Sequence, residues 1–446
     1  MNSAGPIALK AMGLDVSALA PTDIDPLLDI LSPYKSITLG VSGGADSLAL
    51  LFLVVEWKKR QSWSGALDVV TVDHGLRAES AKEARFVSDI CRSLQVRHTI
   101  LEWRPEGALS NLQGRAREAR YALIAEHMEE SSSEALVLGH HLDDQAETFL
   151  DRLTRGSGVY GLSAMASVEH QGPNGLQIVR PLLSLSKDQL VLSLEARGQS
   201  WVEDQSNEVE AYKRVRLRKL LKGLSDEGLS RDGLAETAKR MRRAREALEE
   251  WVSSFWSTRV TQHPAGPLAI CFDAWQNLPL EMRLRVLSQA LSATAGMEYP
   301  SRLSKLEALE ADLQKQAQLK KTMSGCIVSK TVRHLLVWKE VGRSEIPSVG
   351  LAKFMNGCRR RIWDGRFEIT LEDQFGELGD AMSIGQLITA PKPEEEFADC
   401  APWPKEAFRA SLAIYENERL LLVPGLYANR NRNLDGLKIQ IVGRKS

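Results

Sequence analysis

The chain has 446 residues, 43% of them hydrophobic, and a formal net charge of −1. That length implies two or three domains, each able to bury a core. The neutral balance excludes a globally basic nucleic-acid binder, so any such surface must be a local patch. From its start, Met1–Pro21 lacks a charged segment followed by an apolar core and reads as an extension, not a signal peptide. Residues 1–30 are assigned to it. Strand-like runs follow at Ser36–Val41, Leu67–Val72, His98–Trp103, Ala135–Gly139 and Leu176–Leu183. Helical patterns lie between and after them at Ser47–Arg60, Glu79–Gln95, Asn111–Glu130 and Leu142–Thr154. This alternation predicts an α/β domain over 31–210, with a parallel sheet covered by helices on both faces. Ligands of such sheets bind at the carboxyl ends of the strands.

After Trp201 the pattern changes. Tyr212–Leu221 and Leu234–Phe255 read as arginine- and lysine-rich helices, Thr258–Pro267 as a loop, and Leu278–Gln318 as helical again. A mainly helical, RNA-binding domain is expected over 211–335. From Gly325 short β-like runs dominate: Cys326–Lys330, Leu335–Trp338, Phe367–Thr370, Leu420–Val423 and Leu437–Val442. They predict a small mixed domain over 350–446. Pro393–Glu396 is only a short acidic loop. Cys91, Cys271, Cys326, Cys358 and Cys400 are scattered, with no C-x-x-C. They suggest neither a zinc ribbon, nor a redox pair, nor a disulfide framework, and fit small buried residues in a reducing cytoplasm. The longest apolar run, Leu48–Val55, is too short to span a bilayer. A soluble cytoplasmic protein without a membrane partner is expected.

Val41-Ser42-Gly43-Gly44-Ala45-Asp46-Ser47 joins the first strand to the first long helix. A strand, a glycine turn and a helix N-terminus together present backbone N–H groups to an anion. Ser42 and Ser47 add hydroxyls, and Asp46 can hold a Mg²⁺ that bridges phosphates. The loop is not a Walker A motif, because no lysine follows the glycines. S-G-G-x-D-S instead resembles the PP-loop of ATP pyrophosphatases, which cleave ATP between the α and β phosphates.

Gly139-His140-His141-Leu142-Asp143-Asp144-Gln145-Ala146-Glu147-Thr148 follows the fourth strand. At 3.6 residues per turn, Leu142, Ala146, Phe149, Leu150 and Leu153 form an apolar face, with His140, Asp144, Glu147 and Asp151 opposite. The helix is not H-E-x-x-H, so a dedicated zinc site is not expected. Asp73-His74-Gly75-Leu76-Arg77 ends the second strand and can line an adenine pocket. Arg117 and Arg120 share a face of the third helix. Arg155-Gly156-Ser157-Gly158-Val159-Tyr160-Gly161-Leu162 reads as a loop covering the site or a plain connection. Lys213, Arg214, Arg216, Arg218, Lys219 and Lys222, then Lys239, Arg240, Arg242, Arg243 and Arg245, form basic clusters suited to phosphates or to solvent.

Together these segments resemble the tRNA(Ile)-lysidine synthase family. The likeness is carried by V-S-G-G-A-D-S, V-D-H-G-L-R, R-A-R-E-A-R-Y, G-H-H-L-D-D-Q-A-E-T, R-G-S-G-V-Y-G-L-S-A-M, R-P-L-L and E-D-Q-S-N, over about Ile37–Leu221. K-T-M-S-G-C, W-D-G-R-F and F-R-A-S-L extend it to longer members. The family has Arg-Asn at Arg214; here Val215 replaces the asparagine. The resemblance implies a PP-loop, adenine-nucleotide α-hydrolase-like and Rossmann-like catalytic domain. It also implies a two-step reaction. ATP adenylates O2 of the wobble cytidine in tRNA(Ile) bearing a CAU anticodon, releasing pyrophosphate. The side-chain amine of L-lysine then attacks C2 and AMP leaves.

On this reading ATP and Mg²⁺ are the cofactors. Ser42, Gly43, Gly44, Ala45, Asp46, Ser47, Asp73, His74 and Gly139 hold the nucleotide, and Asp46 is the metal ligand. Asp46, Arg120, His140, Asp144, Glu147 and Arg214 are the candidate catalytic residues. In-line attack at the α phosphorus needs hydrogen-bond donors, Mg²⁺ and arginine to neutralise charge. Cationic lysine needs carboxylates, here Asp144 and Glu147. A carboxylate or His140 accepts the amine proton. A homodimer is left open. The competing readings are a tRNA 2-thiolation enzyme, a small-molecule adenylating ligase and a catalytically silent tRNA-binding protein. Thiolation usually needs cysteine pairs, and none lies near these motifs.

Overall fold

A computed structural model describes residues 19–75, 80–104, 112–170, 172–203, 213–225, 227–296, 302–342, 348–356, 358–372, 381–387, 402–429 and 434–442. Most of the N-terminal extension, Leu76–Arg77, the E-D-Q-S-N run from Asp204, Pro393–Glu396 and Cys400 lie outside the described residues. The side chains of Arg214 and Lys222 do as well. The chain divides into two compact units, 1–245 and 246–446.

In the first unit, strands β1 (Ser36–Gly40), β2 (Ala66–Asp73), β3 (Arg97–Glu102), β4 (Ala135–Leu138), β5 (Val168–Glu169) and β6 (Ile178–Val179) form one sheet in the order β3-β2-β1-β4-β6-β5. All its pairings are parallel except β5–β6. The run Leu176–Leu183 contributes only the two residues of β6. Helices α1 (Pro21–Leu28), α2 (Ala45–Arg60), α3 (Ser80–Leu94), α4 (Leu112–Glu130) and α5 (Leu142–Leu153) surround this sheet or adjoin it. Alternate residues of a strand face opposite sides. Val69 of β2 accordingly joins the core that α2 and α3 cover, while Val70 joins the core under α4. The same split separates Ala135 and Val137 of β4 from Leu136.

Helix α5 departs from its predicted faces. Ala146, Phe149 and Leu150 are buried, but against Leu217 and Leu221 of α8 (Lys213–Leu224) and Leu234 and Ala238 of α9 (Arg231–Arg259) rather than the sheet. Helices α6 (Val159–Leu162) and α7 (Lys187–Glu195) lie between α5 and α8 in the chain. Leu153, counted on the apolar face, is 47% exposed, and Glu147, counted on the polar one, is 2% exposed.

The second unit combines α10 (Phe272–Gln276), α11 (Leu280–Ala295) and α12 (Leu303–Lys315) with β7 (Val260–Gln262), β8 (Leu268–Cys271), β9 (Leu319–Met323), β10 (Cys326–Lys330) and β11 (His334–Lys339). These strands form an antiparallel sheet in the order β7-β8-β11-β10-β9. The stretch Thr258–Pro267, expected as a loop, thus contains β7, whose edge pairing with β8 gives it order. From residue 349 onward a five-stranded and a three-stranded sheet complete the unit.

The turn of the W-D-G-R-F motif is pinned by buried charge. Asp364 accepts from Arg366 Nη2 at 2.7 Å and Nε at 3.0 Å, and also from Lys339. Arg366 is 4% exposed and donates to the Ala410 carbonyl; Lys339 donates to the Ala295 carbonyl at 3.2 Å. Removing one member of such a group leaves charge buried and unpaired. Asp364→Asn, which keeps a residue tolerant of the φ of 54° here, is expected to cost about 3 kcal/mol. Calorimetry should show the transition of the second unit shifted down; an unchanged transition would contradict this account.

Candidate active site

The bend after β1 is built by the main chain and its own serines. Gly43 has a φ of +90°, and its carbonyl accepts from Val202 N at 2.9 Å. A side chain at Gly43 would be strained by that backbone geometry. Ser42 N donates to Ser47 Oγ at 3.1 Å, and Ser47 Oγ donates to the Gly44 carbonyl at 3.0 Å. Gly44 caps α2, so the N–H groups of its first turn point out of the bend.

Strand β4 runs beside β1 in parallel, which sets the next motif against this bend. Contact is close: a Cβ on Gly139 would lie 2.8 Å from the Asp46 carbonyl oxygen and 3.2 Å from Ser47 Cα. Glycine at 139 is therefore what permits the acidic segment to meet the first turn of α2.

Beyond Gly139 the chain places His141 at the N-cap of α5 in an extended conformation. Its backbone N–H donates to Asp144 Oδ2 at 3.1 Å. Its Nε2 lies 3.4 Å from Asp144 Oδ2 and 3.5 Å from Asp46 Oδ2, and its Nδ1 lies 3.5 Å from Asp143 Oδ2. His141 is 2% exposed. Burial opposes its protonation, but hydrogen bonding to Asp143 and Asp46 and the charges of Asp144 and Asp46 prevail, raising its pKa to about 10. Its contacts with Asp46 and Asp144 tie the glycine bend to the acidic helix.

Asp46 is correspondingly ionised. Burial works against its charge, yet the His141 hydrogen bond and the positive charges of His141, Lys187 and Arg218 hold it below the ordinary carboxylate range. Its Oδ1 is buried and has no hydrogen-bond partner among the described residues. A hard divalent cation bound through one carboxylate and phosphate oxygens fits that atom. Among the described residues no group of three or more His, Cys, Asp and Glu forms a metal site by itself.

Asp143 is held far below its usual range. Burial resists this, but His141, the Lys187 N–H at 3.0 Å and Arg231 outweigh it. Glu147 is engaged by Arg218, whose Nη2 lies 3.4 Å from Glu147 Oε2. Burial tends to lower the Arg218 pKa, but Glu147, Asp144 and Asp143 raise it. Along the same sheet edge, Arg120 Nη2 lies 3.0 Å from His74 Nε2. Burial, and then Arg120, lower the His74 pKa. Asp73 Oδ1 accepts from Gly75 N at 2.9 Å and from Ser80 Oγ.

Of the predicted residues, Asp46 and Asp144 meet around His141, Glu147 pairs with Arg218, and Arg120 pairs with His74. His140 instead accepts from Arg180 Nε at 3.3 Å. Val215, which stands for the family asparagine, is buried in α8. Sequence reasoning gave no site role to His141, Asp143 or Arg231, and read Arg218 only as part of a basic cluster for phosphates or solvent. The capping spacing of His141 and Asp144 was a local signal for the first; the arginines are distant in the chain. The R-G-S-G segment is clamped onto α5, with Arg152 Nη1 donating to the Gly161 and Ala164 carbonyls at 2.9 and 3.2 Å. Arg242 and Arg245 also reach it: Arg242 donates to the Ser163 carbonyl, and Arg245 lies over the Tyr160 ring at 5.0 Å.

Residues 21–224 match the family model described as the PP-loop domain. With the parallel sheet, the glycine bend and the acidic helix beside it, this defines the class: a PP-loop domain. A tRNA(Ile)-lysidine synthase of Wolbachia pipientis wMel is 34% identical over 413 residues, 92% of each chain. Another, of Bradyrhizobium strain BTAi1, is 39% identical over 314 residues, 66% of this chain and 87% of its own. The chain belongs to the tRNA(Ile)-lysidine synthase family. A solved U34-tRNA thiolase of Methanococcus maripaludis covers 49% of this chain and 78% of its own, with a TM-score of 0.42 and 17% identity. That likeness is too remote to bear on substrate. Among the described residues no helix is long and apolar enough to cross a membrane.

Proposed function

We propose that this protein ligates L-lysine to C2 of the wobble cytidine of CAU-anticodon tRNA(Ile), using ATP and passing through an adenylated cytidine. The observation that carries this reading is the contact of Asp46 in the glycine bend with His141 and, through it, with the acids of α5. One cluster then serves both the triphosphate and a cationic amine.

In the first step the cytidine O2 attacks the α phosphorus and pyrophosphate leaves. The N–H groups of the bend and the first turn of α2 bind the phosphates, with Ser42 and Ser47 beside them. Mg²⁺ held by Asp46 would neutralise charge developing on the phosphate oxygens. Arg120 of α4, held beside the end of β2 at His74, supplies further positive charge. In the second step the lysine amine attacks C2. Asp144 and Glu147 attract its ammonium form, and a carboxylate removes the proton that must leave.

Sulfur transfer is the weaker reading. Cys91 in this unit is fully buried, and burial, followed by Asp68, pushes its thiol up to about 11. A thiol in that state is a poor nucleophile. The test is incubation of the purified protein with ATP, Mg²⁺, labelled lysine and a CAU-anticodon tRNA(Ile) transcript. Label should enter the tRNA, with AMP and pyrophosphate formed. Sulfur incorporation would indicate thiolation, labelling without tRNA a small-molecule ligase, and binding without turnover a silent binder. Each of these would reject the proposal.

A further inference from the structure

The buried ring of His141 has a different carboxylate on each side. Its Nδ1 lies 3.5 Å from Asp143 Oδ2, and its Nε2 lies 3.5 Å from Asp46 Oδ2 and 3.4 Å from Asp144 Oδ2. Asp143 is itself fixed at both oxygens. Its Oδ2 accepts from the backbone N–H of Lys187 at 3.0 Å, and its Oδ1 accepts from Arg231. Lys187 is the first residue of α7 and Arg231 the first of α9. The main chain of His141 is held as well, its N–H donating to Asp144 Oδ2 at 3.1 Å and its carbonyl accepting from Gln145 N at 3.2 Å. The starts of three helices thus set the direction in which Nε2 points.

That direction decides which oxygen of Asp46 is available. Oδ2 faces the ring, whereas Oδ1 is buried and has no hydrogen-bond partner among the described residues. Asp46 is the second residue of α2. The free N–H groups of a helix's first turn attract any carboxylate within reach. Left to itself, the Asp46 side chain could turn onto those donors and take the ground that phosphates need. A partner on Oδ2 holds it away from them. Groups that orient a metal ligand in this way affect metal affinity nearly as much as the ligands do.

We infer that His141 is a positioning residue for the divalent cation: steadied by Asp143, its ring engages Oδ2 of Asp46 and presents Oδ1 to the metal bound with ATP. This rests on the placing of Mg²⁺ at Asp46 proposed above, and not on the identity of the nucleotide acceptor or the amine. Sequence spacing could not show it, because Arg231 stands 88 residues from Asp143.

The test is calorimetric binding of an ATP analogue that cannot be cleaved between the α and β phosphates to the full-length protein, without tRNA or lysine. Affinity is measured once with Mg²⁺ and once with a chelator, and the ratio is the metal enhancement. Asparagine places its amide nitrogen near the Nδ1 position and is a good helix cap, but it does not reach Asp46. Glutamine carries its nitrogen to the Nε2 position. His141→Asn should lower the enhancement about tenfold, whereas His141→Gln stays within about threefold of wild type. Binding in the chelator should be unchanged in both, which a general structural defect would not allow. An enhancement in His141→Asn equal to or above that of wild type would overturn the inference, leaving the ring as a counter-charge only. Equal losses in the two variants would overturn it too, because reach to Asp46 would then not matter. Asp46→Asn separates the two readings. Loss of the enhancement there, with His141→Asn normal, rejects the role of His141 alone; an enhancement that survives Asp46→Asn rejects the metal placement beneath it. Asp143→Asn supplies a second variant. An amide sets a donor against either Arg231 or the Lys187 N–H and loosens the hold on the ring, so the enhancement should fall about threefold or more. Should His141→Asn fail to fold, an unchanged enhancement in Asp143→Asn would overturn the inference by itself.

Discussion

Asp46→Ala is expected to abolish tRNA-dependent exchange of pyrophosphate into ATP, with a loss of about a thousandfold or more. Three observations lead there. Asp46 lies in the first turn of α2, against the glycine bend. Its Oδ1 is buried and lacks a partner among the described residues, while Oδ2 faces His141 Nε2 at 3.5 Å. His141, Lys187 and Arg218 keep the carboxylate ionised despite burial. Alanine removes the metal ligand and deprives His141 of one counter-charge. Asp46→Asn separates shape from charge, since it preserves volume. It should fail nearly as badly, with far-UV circular dichroism unchanged. Near-normal exchange in Asp46→Asn would show that no anionic ligand is needed there.

Glu147→Gln should raise the KM for lysine by about a hundredfold while leaving pyrophosphate exchange within several-fold of wild type. A charge-assisted hydrogen bond to an ammonium contributes about 2–3 kcal/mol, which is close to that factor. Glu147 is 2% exposed and already bound by Arg218, so a lysine ammonium would have to share or displace that guanidinium. Glutamine is the informative replacement because alanine would add a cavity to the lost charge. Equal loss in both half-reactions would reject the division of roles, placing Glu147 in the scaffold that α5 and α8 share.

Which features were legible in the sequence follows from how local their physics is. The four main strands, α2 and the glycine bend rest on short-range rules: alternation, turn chemistry and helix starts. Their observed limits differ from the reading by only one or two residues, as with Ser36–Gly40 against Ser36–Val41. The choice between His140 and His141 turned on one residue. Helix α5 begins at Leu142, so His141 is the cap and His140 belongs to the strand exit. A helical wheel extended backward to 140 puts the wrong ring beside the acids. The burial of Glu147 was beyond local reasoning because Arg218 is 71 residues away. Arg180 is likewise 40 residues from His140. Of that five-stranded sheet Cys326–Lys330 and Leu335–Trp338 were legible, but β7 and β8 were hidden because they span three and four residues and take their order from partners, β7 from β8 and β8 from β11.

The most direct test of the whole account is a crystal structure of the protein with Mg²⁺ and an ATP analogue that cannot be cleaved between the α and β phosphates. The β and γ phosphates should rest on the N–H groups of residues 42–47, with the cation on Asp46 and the α phosphorus turned toward Asp144. A triphosphate bound away from that bend, or an α phosphorus turned away from α5, would contradict the mechanism at its root.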